Sequence, residues 1–85
     1  MKKDLNYRYK VILKDGKISN KVALHNYLES IRDTVKVSKS VWNMLRNDHP
    51  WIWGVWFYIN DPDLLTMFNI IEPGIISNIH ELAVL

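Results

Sequence analysis

The sequence predicts an α+β domain: a small antiparallel sheet packed on a helix-turn-helix-like pair of helices, with one or two further helices at the C-terminus. Three observations carry this prediction. Near the N-terminus apolar residues alternate with period two, apolar residues then recur at helical spacing in two stretches separated by a short link, and an aromatic, β-branched run follows Pro50. At 85 residues, 48% of them apolar and 24% charged, the chain reads as one globular domain with a small core.

Tyr7, Tyr9, Val11 and Leu13 share one side of an extended segment, with Arg8 and Lys10 opposite, so residues 7–13 are predicted as a strand with one basic face. Asp15-Gly16 then predicts a tight turn, with Lys17-Ile18 extending a hairpin, because glycine tolerates the positive φ such turns need. Leu24, Leu28, Ile31 and Val35 are spaced four, three and four apart, which predicts helix one over about residues 20–34, with Ser19 or Asn20 as its cap. A shorter second helix is predicted to follow Ser38 as N-cap, turning Val41 and Leu45 inward and Lys39, Asn43 and Arg46 or Asn47 outward. His49-Pro50 ends it. Residues 54–59 are then expected as a strand paired with the first and at least partly covered on both faces.

Asn60-Asp61-Pro62-Asp63 is a helix-start signal, predicting helix three to about residue 71. After Pro73-Gly74, the residues Ile75, Ile76, Ile79, Leu82 and Ala83 recur at helical spacing, although Ile-Ile-Ser-Asn-Ile also reads as a strand. Trp42, Trp51 or Trp53, and Trp56 are expected to fill the core, with base stacking as the competing use of Trp51, Trp53 and Trp56.

The net charge of +2 conceals an asymmetry. Residues 1–47 hold all 11 Lys and Arg against four acids, whereas residues 48–85 hold five acids and no Lys or Arg. A basic first half of this kind attracts a polyanion or an acidic protein.

Several function classes fall away. Without cysteine there is no disulfide framework, thiol catalysis or thiolate zinc site. Gly16, Gly54 and Gly74 are isolated, so no phosphate-binding glycine loop is present. His25 and Glu29 sit at i, i+4 without a third ligand, so no metal or other cofactor is expected. Asp61 and Asp63 are accounted for by helix capping, and catalysis would need His49 to meet a hydroxyl such as Ser40 in space. The expectation is a protein that is not an enzyme. Residues 1–8 lack an apolar signal region, and residues 64–85 are too interrupted by polar groups to span a bilayer, so a cytoplasmic protein without membrane contact is expected.

The constellation that does carry chemistry is the helix pair joined through Asp33-Thr34-Val35-Lys36. Its second helix would place Ser38, Lys39, Ser40, Asn43, Arg46 and Asn47 where Lys and Arg meet phosphate or guanine, Asn meets adenine and Ser bonds phosphate. Lys10, Lys14, Lys17, Lys21 and Lys36 are expected as further phosphate contacts. Double-stranded DNA is thus the expected partner, and a homodimer would present two such helices to successive half-sites.

The order Tyr9-Lys10-Val11, Asp15-Gly16, a helix, Val37-Ser38-Lys39-Ser40-Val41 with Leu45, and then Trp53-Gly54-Val55-Trp56-Phe57-Tyr58 resembles the small DNA-binding repeat modules attached to phage and mobile-element homing endonucleases. The resemblance covers about residues 7–59. It implies that the helix after Ser38 contacts DNA and that the protein is a regulator of phage or mobile-element type. The turn lacks the family's glycine, the first helix is longer, residues 61–85 lie outside the pattern, and no nuclease motif accompanies it. The alternative is a small protein-binding module, a phage-type inhibitor or adaptor, gripping its partner through the aromatic strand and the apolar C-terminal segment.

Overall fold

The computed structural model describes residues 7–82. In chain order its elements are β1 (Tyr9–Leu13), β2 (Gly16–Lys17), α1 (Lys21–Ser30), a single 3-10 turn (Arg32–Thr34), β3 (Val35–Lys36), α2 (Lys39–Arg46), β4 (Trp51–Ile52), β5 (Trp56–Ile59), α3 (Leu64–Ile71) and β6 (Ile76–Glu81). Four strands form an antiparallel sheet in the order β3-β5-β1-β6, and β2 pairs separately with β4. The α+β class is as expected, with one C-terminal helix.

Alternation along the strands decides which side of the sheet the helices cover. Val11, Leu13, Val35, Phe57 and Ile59 are buried, and they meet Leu24 and Leu28 of α1, Val41 and Leu45 of α2, and Leu65 and Phe68 of α3 in one core. Phe68 is the aromatic hub. Its ring lies 5.3 Å from that of Phe57 and edge-on to that of Tyr27 at 5.2 Å, contacts that each add about 0.5–1.5 kcal/mol beyond burial. None of the described helices is long and apolar enough to cross a membrane.

Several expected elements are arranged differently, each for a physical reason. The Asp15-Gly16 segment does not close a hairpin, because both edges of β1 are taken by β5 and β6; β2 pairs with β4 instead, and Asp15 Oδ1 accepts the Gly54 N–H at 2.9 Å. Helix one ends at Ser30, and Val35, expected on its buried face, sits in a strand opposite Ile59. Asn20 does not cap α1 with its side chain. Its Nδ2 donates to the Ile71 carbonyl at 2.9 Å and its N–H to Glu72 Oε1 at 3.2 Å, tying the start of α1 to the end of α3. Gly54, at φ +66°, turns the aromatic run through a left-handed conformation and splits it into β4 and β5.

After Gly74 the chain takes the strand alternative. Val11 is fully buried, so the backbone groups on the second edge of β1 need partners, and β6 supplies them. Residues 83–85, including the Ala83 of the expected last helix, and residues 1–6 lie outside the described residues. Of the tryptophans expected in the core only Trp42 packs against it, partly buried; Trp51, Trp53 and Trp56 are 52%, 60% and 38% exposed, and the interior is filled by Phe57, Phe68 and aliphatic side chains.

Tyr27 offers a direct check on the α1–α3 contact. Its hydroxyl donates to the Leu64 carbonyl at 3.2 Å, and burial, followed by the nearby Asp61 charge, raises its phenol above the ordinary tyrosine value. A raised phenol favours the folded state below the unfolded value of about 10, and that contribution is lost as pH climbs through the raised folded value. Phenolate absorbance should therefore contain a step above about pH 10 that disappears in Tyr27→Phe. A step at or below the ordinary value would show that α1 and α3 are not packed through this residue.

Candidate nucleic-acid interface

Helix α2 is positioned from both ends. At its start Ser38 is extended, and its Oγ accepts the Val41 N–H at 3.3 Å, the N-cap bond that the sequence predicts. The Ser40 hydroxyl lies 3.1 Å from that of Ser38. Val41 and Leu45 fix the helix to the core, which leaves Lys39, Ser40, Asn43 and Arg46 exposed.

At the far end of α2 lies Lys21, which is only 7% exposed. Its ammonium donates to Asn47 Oδ1 at 2.7 Å, to the Asn47 carbonyl at 3.2 Å and to the His49 carbonyl. Asn47 Oδ1 also accepts the His49 N–H at 2.9 Å. This cluster satisfies carbonyls at the negative end of the helix dipole. Burial lowers the Lys21 pKa, and Asp48 partly opposes the shift. Lys21 is thus withdrawn from the expected phosphate contacts, and Asn47, with its oxygen already engaged, cannot make the two-bond contact with adenine.

The link between α1 and α2 is not a tight turn. Residues 31–38 contain the 3-10 turn and β3, whose Val35 and Lys36 pair with Ile59 and Tyr58. The buried, β-branched Val35 is better satisfied as the sheet's edge than as part of a helical corner. The helices still pack together; Trp42 of α2 meets His25 of α1 edge-on at 5.8 Å, and the Arg32 guanidinium lies 5.7 Å from the Trp42 ring centre.

The expected basic residues do not share one face. Lys39 and Arg46 lie on α2, whereas Lys10 and Lys36 are carried by strands and point away from the helices, opposite Tyr58 on either side. Lys14 and Lys17 are exposed at a third place, around the β1–β2 corner, with Lys14 beside Gly74 and Lys17 opposite Trp51. No protein-family model, curated protein or solved structure matches the chain. The site therefore stands on its own geometry.

A groove of about 670 Å³ opens between the start of α1 and the end of α2, lined in part by His25, Arg46, Asp48 and His49. Ser40 is not among its lining residues. It sits in the first turn of α2 and His49 beyond the last, roughly 10 Å apart along the axis, so the hydroxyl–imidazole meeting considered from sequence is not formed. Among the described residues no group of three His, Cys, Asp or Glu side chains is placed to hold a metal.

Both faces of residues 54–59 are at least partly covered, as expected, but the side away from the helices is the more open one: Trp56 is 38% exposed and Tyr58 half-buried there, and the sequence reading did not single out Tyr58. Their i, i+2 spacing within a strand is the signal that puts them on a common face.

Proposed function

We propose that the protein binds duplex DNA without catalysis, laying the exposed side of α2 against it. One observation carries this reading: Lys39, Asn43 and Arg46, spaced i, i+4 and i+7, project along one exposed side of a helix that contains no carboxylate. Eight residues of helix are about 12 Å long, comparable to the width of the major groove. Lys39 and Arg46 neutralise phosphates or reach guanine acceptors, Asn43 presents its amide to adenine, and Ser40 reaches a phosphate near the helix start. The resemblance of residues 7–59 to homing-endonuclease repeat modules supports the same helix, and a homodimer, read as a doubled mass in solution, would set two copies of it on paired half-sites.

The test is a titration of labelled duplex at several salt concentrations. Affinity is expected to fall steeply with salt, and Lys39→Gln/Arg46→Gln is expected to weaken binding at least about tenfold and to reduce the log–log slope by about 2. Unchanged affinity in that variant would reject α2 as the contact.

A protein-binding module is the second reading. It is favoured by Ile70, 65% exposed on α3, with Met67 one turn before it and Ile79 exposed on β6. An apolar contact of that kind would change little with salt.

A further inference from the structure

The face of the four-stranded sheet opposite the helices carries a second arrangement of chemistry. Lys36 is paired with Tyr58, Tyr58 with Lys10, and Lys10 with His80. Directly opposed residues share a face, so these four side chains form one row across all four strands. Trp56, Ile12 and Asn78 form the next row, about 7 Å away. The rings of Trp56 and Tyr58 meet edge-on at 5.3 Å, and the Lys10 ammonium lies 4.6 Å from the Trp56 ring centre. Neither row contains a carboxylate.

Accessible aromatic rings flanked by cations are the combination that single-stranded polynucleotides use, because every unpaired base has a ring face to stack and every nucleotide brings a phosphate that can draw a lysine off a ring. A duplex cannot use it, since its bases are already stacked. A protein partner fits it less well, because lysine is depleted at the centre of such interfaces.

We propose that this face binds single-stranded DNA, with bases stacked on Trp56 and Tyr58 and phosphates held by Lys10 and Lys36. His80 and Asn78, both exposed, supply hydrogen bonds to base edges. The choice of DNA over RNA rests on the reading of α2: Lys36 lies on the edge strand and Lys39 opens α2 three residues later, so the basic track runs from the sheet around that edge to the duplex-facing helix. A DNA with both paired and unpaired stretches would meet both surfaces.

The test titrates the full chain with a short oligothymidylate, the matching oligouridylate and a duplex, following tryptophan fluorescence and anisotropy. Oligothymidylate is expected to quench the fluorescence, and Trp56→Leu/Tyr58→Leu to weaken its binding at least about tenfold. Lys39→Gln/Arg46→Gln is expected to change it by less than about twofold. Lys10→Gln/Lys36→Gln should reduce the single-strand salt slope by about 1.4. Amide shifts of the unmodified protein, expected on β1, β3 and β5, serve if a leucine variant unfolds. Absent oligothymidylate binding, shifts confined to α2, or an unaffected leucine variant would overturn the proposal, and tighter binding of oligouridylate would overturn its choice of DNA. Normal single-strand binding with no duplex binding would instead remove the reading of α2 and leave the sheet site standing on its rows.

Discussion

Phe68→Ala is expected to remove about 3–5 kcal/mol of stability, the usual loss when a buried phenylalanine is cut back to alanine. The ring has no exposed surface, and it bridges α3 to both the sheet, through Phe57, and α1, through Tyr27. A domain of 85 residues has a total stability of roughly 4–13 kcal/mol, so this one substitution takes a large part of it. The midpoint of thermal unfolding should fall by at least about 12 °C. Ile70→Ser, two residues on but facing solvent, should change stability by no more than about 0.5 kcal/mol. A Phe68→Ala protein that melted within a few degrees of its parent would show that α3 does not close the core.

The same contrast between local and distant determinants explains which elements are legible in the sequence. The α2 helix can be read from the chain because everything that specifies it is nearby: Ser38 caps a bond three residues on, Val41 and Leu45 are one turn apart, and Pro50 follows. The face of β1 can be read from Tyr9, Val11 and Leu13 for the same reason. What cannot be read is pairing across the chain. The Asp15-Gly16 turn signal is satisfied equally by a hairpin or by a chain reversal toward β4, and only the occupation of both β1 edges by β5 and β6 decides between them. After Gly74 the three-residue spacing of Ile76, Ile79 and Leu82 imitates a helix, while the demand for a strand comes from β1, more than sixty residues earlier.

The candidate sites divide along the same line. The outward side of α2 follows from spacing alone, so Lys39, Asn43 and Arg46 are where periodicity puts them. The row Lys36, Tyr58, Lys10, His80 joins four strands, and no window of the sequence contains it. Composition pointed to core tryptophans because aromatic area is valuable to a small domain, yet Phe57, Phe68 and the aliphatics close the interior and leave Trp51, Trp53 and Trp56 at the surface.

Lys21→Met is expected to lower stability by about 2 kcal/mol while leaving duplex affinity within about twofold, when binding is measured well below the unfolding midpoint. By charge alone Lys21 belongs with the phosphate-binding lysines. Its ammonium instead has three acceptors at the end of α2, and a methionine of similar length would leave the Asn47 and His49 carbonyls without that donor. The loss is that of charge-assisted hydrogen bonds in a part-buried cluster, where water, reaching the exposed Asn47 and His49, replaces the missing donor only in part. The gain from no longer desolvating a charge offsets part of that loss.

The pH dependence separates this role from a surface one. Burial, only partly opposed by Asp48, lowers the Lys21 pKa on folding. The unfolded chain therefore holds this proton more tightly, and stability from this group rises with pH between the lowered folded value and the unfolded value of about 10.4. It is fully present above that window and lost as pH falls through the folded value. Denaturant titrations across the window should show this rise in the parent and not in Lys21→Met. If Lys21→Met kept its stability and lost duplex affinity, the lysine would be a DNA contact and the end of α2 would be held by other means.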